Sequence, residues 1–436
     1  MTFPGTRTRT ILHESDQYYA TTTMDSRILA ASGDNAIITD PDGNTFIDLH
    51  CGAGVNNLGM NNPHIIAAIQ AQLQTGIIHA EHHNAPNAAA VELSKLLAET
   101  CPVRKPSKVF LSNSGAEANE AARKLCEAYR YHAGEKHVRS RAIYFENGFA
   151  GRTHGVLAAT TSNPSVQRDP YWNHYDQENS IYLPYPTKAN ANLLRKKLSD
   201  LDLSAVDRLL IELPCQGEAG IIPADEETLE YLYGVTRSAG ILWIVDSIQC
   251  GIGRVGTIFG CDLYPWLEPD ILTLAKALGG GLPIGATIFR ADLDWKKGEH
   301  SNTFGGNPVS SRVALTVLAC VQELIASGAI KRIEQAMQKR LYLLRDHPMV
   351  QDMRGIGAMW AVELPDTRLR DRLIDIGEEM GQTETYGLKL LGAGRKSIRL
   401  MPPLTISPKD LTIALDLFLA ALNTLRDENE NDSLSS

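Results

Sequence analysis

Three short apolar runs in this chain end in residues that packing alone does not call for. RLLIEL (208–213) leads into Gln216-Gly217-Glu218, ILWIV ends in Asp246, and DILTLA stops at Lys276, with Gly279-Gly280-Gly281 just beyond. Open α/β sheets present functional groups at the C-terminal ends of their strands. An ammonium is costly to bury. Lys276 therefore either snorkels to the surface or, desolvated and more easily deprotonated, is a nucleophile able to form a Schiff base. Asp246 is either a capping or solvent-facing carboxylate or a buried acceptor for a cationic ring nitrogen. Ser114-Gly115-Ala116 opens a helix after the strand-like KVFLS. Free backbone N–H groups and the positive dipole end make such a turn suited to phosphate. Thr303, in NTFGGNP, can add a hydroxyl to the same phosphate. A lysine, an aspartate for a ring nitrogen and a phosphate cradle together describe a site for pyridoxal phosphate.

The elements that must position these groups alternate strongly. RAIYF, RLLIEL, ILWIVD, DILTLA and GATIF are separated by helical or loop segments such as DEETLEYLYGVTRSAG. Such runs read as buried strands of a mostly parallel sheet between helices. A helix over about 116–131 places Ala118, Ala121, Ala122 and Leu125 on one face. Before it, NAIITD and TFIDL flank the turn Pro41-Asp42-Gly43-Asn44, and the period becomes helical from about residue 64. A long helical region runs from about Asn307 to Arg345. The strand-like GIGAMWAVEL, a helix near 368–380 and the strand SIRLMPP follow. Ser407-Pro408 starts a final helix, with serine at the N-cap and proline at the first helical position, running to about Leu425. The last eleven residues, RDENENDSLSS, read as a frayed tail. The expected division is a large domain over 65–306, with 1–64 and 307–436 forming a smaller α+β domain.

Composition narrows the function classes. The chain has 436 residues, 43% of them hydrophobic and 21% charged, too apolar for a disordered chain and long enough to bury a core without staples. The net charge of −9 comes with no basic stripe, so no nucleic-acid partner is expected. No run approaches 18 consecutive apolar residues, so no membrane span is expected, and the N-terminus lacks the apolar core of a secretory signal. The seven cysteines form no CxxC pair, which argues against a disulfide framework or zinc ribbon and for the cytoplasm. His79, His82 and His83 match no zinc spacing, and no metal is expected. Gly251-Ile252-Gly253-Arg254-Val255-Gly256 is a literal GxGxxG, but TIFGCDLYPW follows with no helical period, so a dinucleotide-binding reading fails.

TFIDLHCGAGVNNLG, SNSGAEANEAARK, FAGRTHG, PCQGEAG, VDSIQCGIGRVG, PDILTLAKALGGGLPIGA, NTFGGNP and SIRLMPPLTIS occur in this order. With them the chain resembles the class III pyridoxal-phosphate aminotransferases of fold type I, most of all the 4-aminobutyrate and ornithine aminotransferase branch. The resemblance covers nearly the whole chain. It implies a seven-stranded sheet in the large domain, a homodimer and pyridoxal 5'-phosphate as cofactor. It implies Lys276 as Schiff-base lysine and proton shuttle, Asp246 on the pyridine nitrogen, Gln249 near the ring 3-hydroxyl and Phe149 stacked on the ring. Ser114, Gly115 and Ala116 would hold the phosphate, with Thr303 reaching in from the other subunit. Arg152 would bind a distal carboxylate and Arg399 an α-carboxylate, with Glu218 pairing with Arg399 when no α-carboxylate is present.

The chain departs from the family pattern at four places. Leu213 stands where the family has Glu before the proline, with Glu212 one residue earlier. Ala150 follows the stacking aromatic where His or Trp is common, Ser247 replaces an acid, and Ala53 replaces a bulkier residue. Ala53, Ala150 and Leu213 imply a roomier, less polar substrate pocket. The implied reaction moves an amino group from an ω-amino acid or amine, 4-aminobutyrate-like, to a 2-oxo acid such as 2-oxoglutarate or pyruvate. The alternative on the same fold is an amino-acid racemase, which would return the proton to carbon and form no keto acid.

Overall fold

The computed structural model describes residues 3–20, 26–80, 85–135, 139–171 and 174–435. The chain divides into two units, Met1–Pro63 with Leu324–Ser436, and His64–Glu323.

The larger unit is built on a seven-stranded sheet in the order Ser107–Ser112, Gly285–Arg290, Ile271–Leu274, Leu242–Asp246, Val206–Glu212, Arg141–Phe145 and Ser180–Leu183. Pairing is parallel except at Gly285–Arg290, which runs antiparallel to both neighbours. The central strands are buried on both faces, as their near-continuous Ile, Leu and Val content requires. The Gly115–His132 helix lies against this sheet through Ala118, Ala121, Ala122 and Leu125. The architecture is the expected α/β one, with a mostly parallel sheet among helices.

In the smaller unit, Thr45–Asp48 pairs in parallel with Gly387–Lys389, so the two ends of the sequence share one sheet. A second sheet has the order Asp352–Ile356, Met359–Glu363, Ser397–Leu400 and Leu391–Ala393. Ile47, Leu49, Met337, Val362, Leu373, Leu388 and Phe418 belong to one apolar core.

Three segments differ from the sequence expectation. GIGAMWAVEL is not one strand: Gly357, at φ 58°, turns the chain back so that Asp352–Ile356 and Met359–Glu363 form a hairpin. The 307–345 region is two helices, Pro308–Ala326 and Ala329–Tyr342. The unit boundary falls near the end of the first of these rather than before it, because Val313 and Val317 pack on Gly280 of the larger unit. That first helix is long and apolar enough to cross a membrane by length and composition, a test that buried core helices also meet. The final helix does not fray at Leu425 but continues to Ser435. Arg372 holds it there through an ion pair to Glu428 at 2.9 Å.

Candidate active site

The ends of the central strands bring two carboxyl groups together. Asp246 is the register partner of both Glu212 and Thr273. It is 5% exposed, and each of its oxygens is held: Oδ1 accepts from Ile248 N and Oδ2 from Asn119 Nδ2, both at 2.8 Å. Burial pushes the Asp246 carboxyl above its usual range, while Asn119, the Ile248 N–H and the charge of Lys276 favour the ionised form. The result is a fixed, buried acceptor facing a cation.

Glu212 Oε1 accepts from Phe149 N at 2.9 Å and Oε2 from Gly217 N at 3.2 Å. One carboxyl group thus ties the loop of the candidate stacking aromatic to the loop that carries Glu218. Burial, and then the negative charge of Asp246, push Glu212 up to about 8. The two backbone bonds and Lys276 pull in the opposite direction.

Lys276 follows the Ile271–Leu274 strand with φ at 45°. This left-handed conformation costs a non-glycine residue about 1–3 kcal/mol. The surrounding structure must impose it, two residues past the end of the strand. Lys276 is partly buried, and its charge acts on both Asp246 and Glu212.

Ser114 is the N-cap of the Gly115–His132 helix, its hydroxyl accepting from Glu117 N. The N–H groups of Gly115 and Ala116 lie in the first turn, where no intrahelical carbonyl reaches them. A Cβ at Gly115 would stand 2.9 Å from the Ile248 side chain, which would have to shift. The helix start therefore packs close to the segment that follows Asp246.

Other expected residues lie further out. Gln249 is partly buried in the turn after Asp246. Arg152 is exposed on a loop held just after it by Thr153 Oγ1 and Gly155 N, which donate to Glu120 Oε1 at 2.5 and 3.0 Å. Thr303 is exposed beside Asn302, whose side chain donates to the Leu111 carbonyl. Glu218 is partly buried. Ala150 is 4% exposed and packs in an apolar cluster with Ala122, Leu125 and Val156, and Leu213 is fully buried, so both side chains point into the core. Their small or apolar character serves packing and does not widen an open pocket.

Arg399 and Ala53 belong to the smaller unit. Arg399 is 3% exposed, paired across strands with Ala361 and Leu391, and donates from Nη2 to the Gly392 carbonyl at 3.1 Å. Ala53 sits in a left-handed turn with Cys51, at φ 57° and 55°. Asp48 supports this turn by accepting from His50 N and Cys51 N.

The residues that sequence reading passed over are Asn119 and the bonding of Glu212. A buried asparagine beside the alanine stripe of a helix was the available signal for the first. The second had none, because its partners are backbone N–H groups, one of them 63 residues away in sequence. Gly251–Gly256 forms a tight loop closed by Ile252 N to Ile258 O and Gly253 N to Thr257 O, with no helix starting inside it. His79 packs against the Phe304 ring, at 5.2 Å; His82 and His83 lie outside the described residues.

A buried carboxylate for a cationic nitrogen, a strained lysine and a helix start with free N–H groups fit pyridoxal phosphate. Comparisons with known proteins agree. The sequence model of the family described as "Aminotransferase class-III" matches residues 18–422. The acetylornithine aminotransferase of Clostridium acetobutylicum is 32% identical over 395 residues, covering 88% of this chain and 94% of the relative. That of Corynebacterium efficiens is 35% identical over 401 residues, covering 90% and 92%. A crystal structure of a Bacillus anthracis aminotransferase superposes with a TM-score of 0.85 at 24% identity, covering 96% of this chain and 99% of that one.

Proposed function

Since the chain belongs to the class III aminotransferases, enzymes that depend on pyridoxal phosphate, we propose that it transfers the terminal amino group of an ω-amino acid to a 2-oxo acid. The observation that carries this reading is the strained Lys276 beside the buried, doubly hydrogen-bonded Asp246. When bound, pyridoxal phosphate supplies an electron sink to the amine carbon. In this reading Lys276 Nζ would carry a proton taken from that carbon. The Asp246 carboxylate would pair with the ring nitrogen. The N–H groups of Gly115 and Ala116, with Ser114, would hold the phosphate, and Phe149 and Gln249 would hold the ring. Arg152 takes the distal carboxylate of a dicarboxylate acceptor; planar guanidinium groups suit that task. Arg399 takes an α-carboxylate and Glu218 neutralises it otherwise, assignments that rest on their motifs.

The donor class is a primary amine separated by several carbons from a carboxylate. 4-Aminobutyrate meets this description, and so does acetylornithine, after which the relatives are named. A homodimer also belongs to this reading. Ile77, Ile78 and Phe304 are exposed apolar side chains, Ile78 and Phe304 at 61% each, and Asn307 donates to the Ile78 carbonyl, which places these segments side by side next to Thr303. An apolar patch beside a phosphate-binding threonine suits a partner subunit. All seven cysteines are free thiols, which supports the cytoplasm.

The test is a donor panel of N-acetylornithine, ornithine, 4-aminobutyrate and simple monoamines, with 2-oxoglutarate and pyruvate competing as acceptors. Amine-dependent formation of an aldehyde or keto acid supports the reading. Loss of optical activity in an amino acid without a keto product replaces it with a racemase.

A further inference from the structure

Asn119 is fully buried on the Gly115–His132 helix, and its amide reaches three other segments. Nδ2 donates to Asp246 Oδ2 at 2.8 Å and to the Ala150 carbonyl at 3.1 Å, and Oδ1 accepts from Thr273 Oγ1 at 2.8 Å. Both groups facing Nδ2 are acceptors only, so the amide can point in just one direction. Thr273 lies on the strand that leads to Lys276, and Ala150 follows Phe149. The helix that carries Asn119 begins at the phosphate cradle.

We propose that Asn119 is a positioning residue: its amide fixes the Asp246 carboxylate for the cofactor and registers against it the segments that carry Lys276, Phe149 and the cradle. This inference rests on the aminotransferase reading above. A carboxylate buried without donors loses its charge. Of the two donors to Asp246, the Ile248 N–H belongs to the backbone, so Asn119 is the one a side-chain change removes. The charged and titratable groups facing Asp246 are Lys276, which favours its ionised form, and its register partner Glu212, which the charge of Asp246 pushes toward the protonated form. Without the amide the balance moves toward a neutral Asp246, a poor partner for a ring cation.

The experiment compares wild-type holoenzyme with Asn119→Leu, which keeps the branched outline and removes the donor, and with Thr273→Val, which keeps the shape and removes the hydroxyl that orients the amide. Cofactor Kd, the pH profile of kcat/KM and the Tm of the cofactor-free protein are measured for each. Asn119→Leu should weaken cofactor binding on the order of tenfold or more and move the acid limb of the profile upward. Thr273→Val should do the same to a smaller degree. The double variant should be no worse than Asn119→Leu alone, as expected of residues acting through one amide. If both single variants lower Tm but leave Kd and the pH profile at wild-type values, Asn119 only fills space and the proposal fails. Should Asn119→Leu not fold, an unchanged Kd and profile in Thr273→Val are enough to overturn it. If wild-type protein binds cofactor but transfers no amino group, the functional reading falls, while the Kd comparison still decides the role of Asn119.

Discussion

Asp246 and Arg152 stand in the same unit, and both are assigned to the handling of charged ligands, yet their settings are opposite. Asp246 is 5% exposed, has both oxygens hydrogen-bonded and lies at a strand end between two other strands. Arg152 is exposed on a loop that is tied to Glu120 just after it. The floor that holds Asp246, Asn119, Thr273 and Lys276 cannot change without disturbing several segments at once. The rim can change one residue at a time. In the proposed function this becomes a division of labour: the floor would set which chemistry occurs, and the rim which substrate undergoes it. The changes below are ordered by how severely each strains that division.

The largest effect is expected at Lys276. Lys276→Ala should abolish turnover with every donor and acceptor, by at least a thousandfold, because no other amine replaces the proton carrier. The protein should stay folded and bind cofactor non-covalently, since Asp246 and the helix start remain. Single-turnover spectra and a cofactor titration check this. Retained transfer near the wild-type rate would remove Lys276 from the mechanism. The φ of 45° stays costly in this variant, because alanine also carries a Cβ.

Asp246→Asn should come next. A neutral amide cannot pair with a ring cation, and a charge-assisted hydrogen bond contributes roughly 1.5–3 kcal/mol. Cofactor affinity should fall by about ten- to a hundredfold, and the half-reactions with all donors should slow together. A loss confined to one substrate would instead put Asp246 among the specificity residues and break the floor–rim division.

The rim makes the opposite claim. Arg152→Ala should raise KM for 2-oxoglutarate by about tenfold or more, the scale of one charge-assisted contact. It should spare pyruvate, which has no distal carboxylate. Steady-state kinetics with the two acceptors decide it, and equal damage to both would make Arg152 a structural residue of the Glu120-bound loop.

The same contrast governs what the sequence reveals. Lys276 and Asp246 are legible because a charged residue closing a run of Ile, Leu and Val is conspicuous in one dimension. The sheet is legible for the same reason, and its seven strands agree with the family resemblance. Asn119 escapes because its three partners are 31, 127 and 154 residues away in sequence, and no local pattern encodes such contacts. Ala150 misleads in the other direction: its position after Phe149 points to a pocket wall, whereas the chain uses its carbonyl for Asn119 and buries its methyl group. The hairpin at Gly357 is hidden because the end of the first arm and the whole second arm read as one strand-like stretch, and only the positive φ of the glycine reveals the turn. The continued final helix is hidden because its hold comes from Arg372, on a different helix.

The smallest effect, and the one that probes the floor without touching the reacting groups, concerns Glu212. Its carboxyl is pushed up to about 8 from an ordinary 4.5, first by burial and then by Asp246. In the unfolded chain the same group loses its proton near 4.5. Between those two values the folded protein binds more protons than the unfolded one, so stability falls as pH rises across that window and levels off above about 8. Glutamine cannot titrate but keeps one acceptor for the two backbone N–H groups of Phe149 and Gly217. Near pH 5 the two proteins should differ mainly by the lost backbone bond, with Glu212→Gln the less stable. As pH rises toward 8 the wild-type protein alone bears the cost of keeping a proton that water would take, and the gap should close or reverse, on the order of a few degrees in Tm. Thermal melts of the cofactor-free protein at pH 5, 6.5 and 8 measure it. A Tm difference that stays constant across this range would show that Glu212 is ionised throughout, with its two N–H bonds and Lys276 outweighing burial and Asp246. The site floor would then hold two carboxylates rather than one carboxylate and one neutral acid.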